Sequence, residues 1–160
     1  MAYYATIMTM DQKDHQIVRA LLQDGRLTNQ DLAARVNLSP SPCLRRVRLL
    51  EERGVIKGYA ALVDQKAYGF PLTIFVGIKL DGHGKLNVRQ FEERVATIEE
   101  ILDCFLMTGD IDYLLRVVAP DLEGYERFVR ETLHMIPGVA SIDTSFAYGV
   151  VKQSRIFPMP

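Results

Sequence analysis

The chain has 160 residues, of which 48% are hydrophobic and 24% are charged, and its formal net charge at pH 7 is −1. This composition excludes a disordered, collagen-like or fibrous protein, and the length allows one ordinary domain or two small ones. The longest apolar stretch, near residues 72–78, is far shorter than the roughly 20 residues of a membrane-spanning helix. Because residues 1–10 also lack the features of a signal peptide, we expect a cytoplasmic protein.

The charges are unevenly divided along the chain. Residues 1–63 contain nine Lys and Arg against six Asp and Glu, which gives +3, and residues 64–160 contain ten against fourteen, which gives −4. A mildly basic N-terminal part thus precedes an acidic C-terminal part. This division is expected if only the N-terminal part meets phosphate groups.

Two helices are predicted close to the N terminus from apolar spacing and capping residues. The first begins at Asp11, which can cap it, and ends at Gln23. The second begins at Thr28, whose hydroxyl can accept backbone N–H groups while Asp31 reaches back in a variant of the capping box. It ends at Asn37, a residue type that tolerates the left-handed backbone of a tight turn.

A third, longer helix is predicted from about Pro40 to Arg53, with Ser39 as its N-cap and proline at the first helical position. Its inward stripe is formed by Cys43, Val47 and Leu50. Only Asn37 and Leu38 separate this helix from the short one before it. The three segments therefore have the outline of a helix-turn-helix.

Basic side chains are concentrated on the third helix. Arg45, Arg46 and Arg48 lie within four positions just after the tight turn, and Ser39 and Ser41 precede them. Arginine can bind guanine edges or phosphates and serine suits phosphate oxygens, whereas the plain alternative is a solvated face of a helical bundle. The clustering favours DNA binding. The candidate DNA contacts are Ser39, Ser41, Pro42, Arg45, Arg46 and Arg48.

The segment after the third helix connects it to the rest of the chain. Residues 55–63 alternate in a way that suits a wing or a connecting strand, and Gly69 and Pro71 mark a hinge. We therefore predict a winged helix-turn-helix domain, a hinge strand or linker and a second domain. Their predicted ranges are 1–60, 61–71 and 72–160, respectively.

The second domain is predicted to combine strands and helices. Its elements are a strand over 72–81, a helix around Val88–Ile98, strands over 101–107 and 113–119, a helix over 122–136 and a strand over 139–151. The order β-α-β-β-α-β predicts an α+β, ferredoxin-like fold, with helices on one face of an antiparallel sheet. Phe75 and Phe105 fall on the other face. That face needs a cover, and a second subunit is the simplest one.

Neither metal binding nor catalysis is indicated by the spacing of the reactive side chains. Cys43 and Cys104 are far apart, and we expect both thiols to pack as small apolar groups. The histidines are equally scattered, at His15, His83 and His134. The acidic pairs at 92–93 and 99–100 fit a solvated face. We therefore predict no metal, no cofactor and no enzymatic activity.

The turn formed by residues 109–112, with the sequence GDID, admits two interpretations. Its carboxylates can cap backbone N–H groups, as in many β-turns. Alternatively, exposed backbone N–H groups beside a carboxylate can hold the zwitterionic end of an amino acid. The sequence of the turn leaves both interpretations open.

Several motifs together resemble the Lrp/AsnC (feast/famine) family of transcription regulators. They are MD at 10–11 followed by Asp14, DGR at 24–26, LSPSPCLRRV at 38–47, LEERGVIKGY at 50–59, TGDIDYLL at 108–115 and PGV at 137–139. The last two resemble that family's domain for regulation of amino-acid metabolism. The resemblance covers residues 10–158, and its two independent blocks occur in the family's order and separation.

The resemblance implies a homodimer formed through the C-terminal sheets, commonly assembled as four dimers into an octamer, with paired helix-turn-helix domains on pseudo-palindromic DNA. It also implies a small effector, often an amino acid, beside the turn at 109–112 and the final strand. The effector residues that it implies are Gly109, Asp110, Asp112, Thr144 and Ser145. The chain has Ile111 where an aromatic residue is frequent and Asn37 where glycine is frequent.

We therefore predict a sequence-specific DNA-binding transcription regulator that binds double-stranded DNA and responds to an amino acid. One alternative is a small-molecule-binding enzyme or enzyme regulatory subunit that uses the ferredoxin-like domain, which predicts no salt-dependent DNA affinity. A third interpretation is a non-specific architectural DNA protein. The acidic C-terminal part argues against this last class.

Overall fold

The computed structural model describes residues 10–82 and 85–158. Within these ranges the chain forms two compact units. The helix unit contains the residues up to Leu62 and those from Lys152 onward, and the sheet unit contains Val63–Val151. The C-terminal segment, which was predicted to belong to the second domain, thus packs with the first. No helix in the described ranges is long and apolar enough to cross a membrane.

The helix unit contains α1 (Gln12–Gln23), α2 (Asn29–Arg35) and α3 (Pro40–Glu52), which confirms the three predicted helices. α1 begins with a capping box in which Asp11 and Asp14 each accept the other's backbone N–H. At α2, the Thr28 hydroxyl accepts the backbone N–H of Asp31 and donates to its carboxylate. Asp31 therefore reaches the hydroxyl of the capping residue. Asn37 forms the tight turn with a φ of 53°.

The three helices pack around a small apolar core. Its buried members are Ile17, Ala20, Leu32, Ala33, Val36, Cys43 and Leu50. Cys43 and Leu50 belong to the predicted inward stripe of α3, and Val47 packs partly buried against them. A domain of this size buries proportionally little surface, so its apolar core is small.

The sheet unit contains β1 (Leu72–Leu80), α4 (Lys85–Val95), β2 (Ile101–Leu106), β3 (Tyr113–Ala119), α5 (Leu122–Glu131), a 3-10 turn (Leu133–Met135) and β4 (Val139–Phe146). The antiparallel strands lie in the order β2-β3-β1-β4. This topology confirms the predicted ferredoxin-like fold, although β4 stops at Phe146 and not at Val151. Because β2 is an edge strand, Cys104 is exposed, and the prediction that its thiol packs as a small apolar group is wrong.

The alternation of side chains along β1 separates a buried and an exposed face of the sheet. Ile74, Val76 and Ile78 are fully buried in the core cluster, which also includes residues of α4 and α5. On the opposite face, called here the open face, Phe75 is 37% and Phe105 is 50% exposed. Large apolar side chains are thus exposed on the open face, for which the sequence analysis predicted a cover.

The predicted wing strand is absent from the described structure. Residues 55–63 lie outside every strand. A single extended segment needs a second strand to bond its backbone N–H and C=O groups, and no strand within the described ranges pairs with this one. Alternation in the sequence was therefore not sufficient to produce a strand.

The predicted hinge is an ordered turn at the start of β1. The carboxylate of Asp64 accepts the backbone N–H of Ala67 at 2.7 Å. The side-chain amide of Gln65 donates to the carbonyl of Phe70 at 2.7 Å and to the hydroxyl of Thr73 at 2.9 Å. These bonds place residues 64–70 in the sheet unit.

Candidate DNA-binding and effector sites

The exposed side of α3 carries polar side chains at helical spacing. Ser41, Arg45 and Arg48 are all exposed, and residues at i, i+4 and i+7 follow one side of a helix. Pro42 is half-buried next to them. Ser39 occupies the N-cap position, but its hydroxyl makes no capping hydrogen bond. The exposed Ser39 hydroxyl thus lies at the N-terminal end of this face, next to the first turn of α3.

Arg46 has a different environment from the other arginines of α3. Its Nη1 atom lies 2.7 Å from Oδ2 of Asp11 and 2.7 Å from Oδ1 of Asp14. The side chain of Arg46 is 31% exposed and that of Asp14 is 12% exposed. Arg46 therefore joins α3 to the capping box of α1, and the structure separates its guanidinium from the exposed face of α3.

The contacts of Arg46 change the acid–base properties of the groups involved. The hydrogen bonds to Asp14 and then to Asp11 raise the pKa of Arg46 above its usual value. The backbone N–H of Asp14, and after it the Arg46 guanidinium, lower the pKa of Asp11. Arg46 and Asp11 are consequently both charged at neutral pH.

Two further side chains fix the helices of this unit, and the sequence analysis missed both. Nζ of Lys13 donates to the carbonyl of Val36 at 2.5 Å, at the end of α2 where carbonyls lack helical partners. Nδ2 of Asn29 donates to the carbonyl of Pro40 at 2.9 Å. Such bonds between distant residues leave no periodic signal in the sequence.

The loop between β2 and β3 contains three of the candidate effector residues. Gly109 has a φ of 120°, which side-chain-bearing residues rarely adopt, and Asp110 is exposed. The carboxylate of Asp112 accepts the backbone N–H of Leu80 at 2.7 Å, and its own N–H donates to the carbonyl of Ile78 at 2.9 Å. Asp112 thus anchors the loop to β1, which matches the capping interpretation of this turn.

The other two candidate effector residues lie on opposite faces of β4. Thr144 pairs with Val76, on the face toward the helices, and its hydroxyl is 2.6 Å from that of Tyr125. Burial raises the pKa of Tyr125, an effect partly opposed by this hydrogen bond. Ser145 pairs with Phe75 and is exposed on the open face. The five candidate residues therefore do not converge on one side of the sheet.

Metal ligands are not grouped in the part of the chain that the structure describes, since no three His, Cys, Asp or Glu side chains gather there. Cys43 is buried, and this burial raises the pKa of its thiol. A raised pKa lowers the thiolate fraction on which thiol reactivity depends. Cys43 is therefore a structural thiol of the helix unit.

Two family models match the chain along most of its length. The Lrp/AsnC ligand binding domain matches residues 73–157, and a winged helix-turn-helix DNA-binding model matches residues 10–57. Among curated proteins, the Bkd operon transcriptional regulator of Pseudomonas aeruginosa is 46% identical over 138 residues, which cover 86% of this chain and 90% of the relative. The leucine-responsive regulatory protein of Escherichia coli K12 is 42% identical over 146 residues, which cover 91% and 89%.

Solved structures agree with these matches. A transcriptional regulator from Neisseria meningitidis, in complex with L-Met, superposes with a TM-score of 0.89 at 37% identity, covering 94% of this chain and 97% of that one. An AsnC family regulator from Agrobacterium tumefaciens has a TM-score of 0.88 at 36% identity, covering 93% and 97%. These relatives are regulators, so the enzyme alternative has no support. The chain belongs to the Lrp/AsnC family and is a transcription regulator with an N-terminal helix-turn-helix for DNA and a C-terminal ligand-binding domain.

Proposed function

We propose that this regulator recognises a specific DNA sequence through the exposed face of α3. Arg45 and Arg48 supply guanidinium groups for base edges or phosphates. Ser39 and Ser41, with Pro42 beside them, meet the DNA backbone at the helix N terminus, where backbone N–H groups and the helix dipole favour phosphate. The observation that carries this proposal is the single exposed side of α3 shared by Ser41, Arg45 and Arg48.

Arg46 is left out of the contact set. Nη1 of its guanidinium is already bound to Asp11 and Asp14, and these two ion pairs direct the side chain toward α1. A direct role for Arg46 in base recognition, predicted from its position among the arginines, is therefore disfavoured by its geometry.

The experiment is a selection of bound duplexes from a random pool, followed by anisotropy titrations of the selected and a random duplex at several salt concentrations. If Arg45 or Arg48 reads a base, its replacement by Ala weakens operator binding by about 1–3 kcal/mol; if it binds phosphate, the salt slope falls by about one. Arg89→Ala is the control, since Arg89 lies on α4 in the sheet unit with its side chain 78% exposed. Equal affinity of the native protein for both duplexes would instead indicate a non-specific architectural protein.

We also propose that the effector is an amino acid with an aliphatic side chain, bound at the loop between β2 and β3 on the open face. In this arrangement the Asp110 carboxylate meets the amino group, backbone N–H groups near Gly109 meet the carboxylate, and Ser145 opens onto the same face. Support comes from the ligand-binding family model, from the L-Met bound to the Neisseria regulator and from the leucine-responsive relative. Ile111 supplies an aliphatic surface beside these groups.

Asp112 and Thr144 act on the effector site only indirectly in this proposal. The carboxylate of Asp112 is bound to the backbone N–H of Leu80, and the hydroxyl of Thr144 is bound to Tyr125. Both side chains hold the framework around the loop, and neither is free to serve as a primary effector ligand without losing its present bond.

A thermal-shift screen of the twenty amino acids tests the effector proposal, because a ligand that binds the folded state raises the midpoint temperature of unfolding. We expect a shift with Leu or Met that Asp110→Ala abolishes and Thr144→Val retains. The absence of a shift with every amino acid at millimolar concentration would contradict it. Loss of the shift in Thr144→Val alone would move the site to the helix-facing side of β4.

We further propose that two chains associate through their open faces. Phe75 and Phe105 present apolar surface there, and Arg116 forms an ion pair with Asp103 at 2.5 Å on the same face. Covering this surface removes apolar area from water. Sedimentation velocity tests the proposal: Phe105→Asp is expected to shift a dimer, or an octamer of four dimers, toward smaller species, whereas an unchanged assembly would contradict it.

A further inference from the structure

The ion pairs of Arg46 connect the helix that carries the DNA contacts to the helix behind it. Arg46 follows Arg45 directly, yet its Nη1 atom lies 2.7 Å from carboxylate oxygens of both Asp11 and Asp14 in α1's capping box. Asp14 as a whole is only 8% exposed. A buried carboxylate is costly unless it is paired and hydrogen-bonded, so this geometry holds Arg46 strongly in place.

The position of Arg46 within α3 gives these ion pairs a geometric consequence. Successive residues of an α-helix are rotated by about 100° around its axis. Fixing the side chain of Arg46 toward α1 therefore fixes the directions in which Arg45 and Arg48 point. Both distances are at hydrogen-bond length, so a rotation of α3 that the Arg46 side chain did not follow would lengthen at least one of the two bonds.

We propose that Arg46 is a positioning residue for DNA recognition, which together with Asp11 and Asp14 forms a clamp that sets the rotation of α3. Arg45 and Arg48, which do not belong to the clamp, then face the DNA groove. This inference rests on the proposed recognition of DNA by α3. It attributes the sequence specificity of that recognition to the rotation of α3 that the clamp sets. It also explains why an arginine in the middle of the basic cluster is turned away from the exposed face.

The test compares native protein, Arg46→Ala and Asp14→Asn, by titration of the selected operator and a random duplex at several salt concentrations. The clamp predicts that both variants lose about tenfold in operator affinity, on the scale of one mismatched contact. It also predicts an unchanged salt slope and random-duplex affinity within about twofold, because no phosphate contact is removed. Asp14→Asn is informative because deleting a negative charge would by itself strengthen DNA binding.

The alternatives give different results. If Arg46 contacts DNA directly, Arg46→Ala reduces the salt slope by about one while Asp14→Asn does not weaken binding, and the clamp is overturned. If the variants are merely less stable, operator and random-duplex affinities fall in the same ratio, which also overturns it; circular dichroism fixes a temperature at which all proteins are folded. Asp11→Asn, a milder variant that keeps the N-cap acceptor, is expected to lose about threefold in operator affinity on the same basis.

Failure of the clamp and failure of the proposed function are distinguishable in this experiment. If native protein does not prefer the selected operator over random duplex, the proposed function is itself wrong. If native protein prefers the operator and Arg46→Ala keeps the whole preference, only the clamp is wrong.

Discussion

Ile111 lies over Gly77 on the open face of the sheet, so closely that a Cβ at Gly77 would be 3.2 Å from Cγ2 of Ile111 and 3.7 Å from Cβ of Asp143. Gly77 belongs to β1, between β3 and β4. A glycine at this place allows the loop between β2 and β3 to rest against the backbone of β1. The close packing of Ile111 on Gly77 thereby fixes the distance between β1 and the loop that carries Gly109 and Asp110.

Gly77→Ala is predicted to weaken effector binding by about threefold to tenfold, since a small displacement of the binding groups lowers the affinity by about this much. The added methyl group is closer to Ile111 than ordinary van der Waals contact, so Ile111 must move by a few tenths of an ångström. Titration calorimetry with Leu or Met measures the effect. Gly149→Ala is the matched control because its added Cβ meets nothing within 4 Å, and equal affinities of the two variants would contradict the prediction.

Asp11→Asn is predicted to reduce the free energy of unfolding at neutral pH but not in strong acid. The pKa of Asp11 is lowered in the folded protein, by the backbone N–H of Asp14 and then by Arg46. The stabilisation is therefore fully present above the unfolded carboxyl pKa and is lost as the pH falls through the lower, folded value. The difference between native protein and variant should be constant above about pH 5 and shrink below about pH 4. Urea unfolding followed by circular dichroism measures it, and a difference that does not shrink as the pH falls from 5 to 2 would exclude this origin.

Thr144→Val is predicted to destabilise the sheet unit by about 1–2 kcal/mol, because it leaves the Tyr125 hydroxyl without its partner. That bond is 2.6 Å long, and Tyr125 is buried with 7% exposure. The same substitution at Thr97 serves as the control, since Thr97 is exposed at the end of α4 and surface substitutions change stability by about 0.5 kcal/mol or less. Equal unfolding temperatures of the two variants would show that the hydrogen bond between the Thr144 and Tyr125 hydroxyls is not stabilising.

Phe157→Ala is predicted to speed amide exchange in α1 by about twofold to fivefold through a small loss of packing. The guanidinium of Arg19 donates to the Phe157 carbonyl at 3.2 Å, and Phe157 lines a cleft of about 330 Å³ with Val18 and Leu22. Hydrogen exchange with mass spectrometry gives the rates. Tyr148→Ala is the control because Tyr148 is fully exposed, and unchanged exchange in Phe157→Ala would show that the C-terminal segment does not support α1.

The elements of both units followed from local sequence signals. Alternation along the sequence predicts β1, and the capping residues Asp11 and Thr28 predict the starts of α1 and α2. Each of these signals acts within a few residues. The same reasoning failed for residues 55–63, where alternation was present but no partner strand lies within the described ranges. Strand formation depends on a second segment that a local pattern cannot supply.

The composition of the candidate sites was less predictable than the fold. Three arginines in one basic cluster look equivalent in sequence, yet Arg46 is bound by carboxylates that lie more than thirty positions away. Thr144 and Ser145 are adjacent in sequence, but the alternation of β4 places them on opposite faces. Partners distant in the chain and the face of a strand thus decided which candidate residues remain accessible.

Selection from a random pool of DNA duplexes tests the central claim most directly, with native protein and Arg45→Ala carried through in parallel. We predict that native protein enriches a motif with two related halves in inverted orientation, and that Arg45→Ala enriches a weaker or altered motif from the same pool. A pool that stays random with native protein, at a salt concentration where the protein still binds duplex DNA, would contradict sequence-specific recognition by α3.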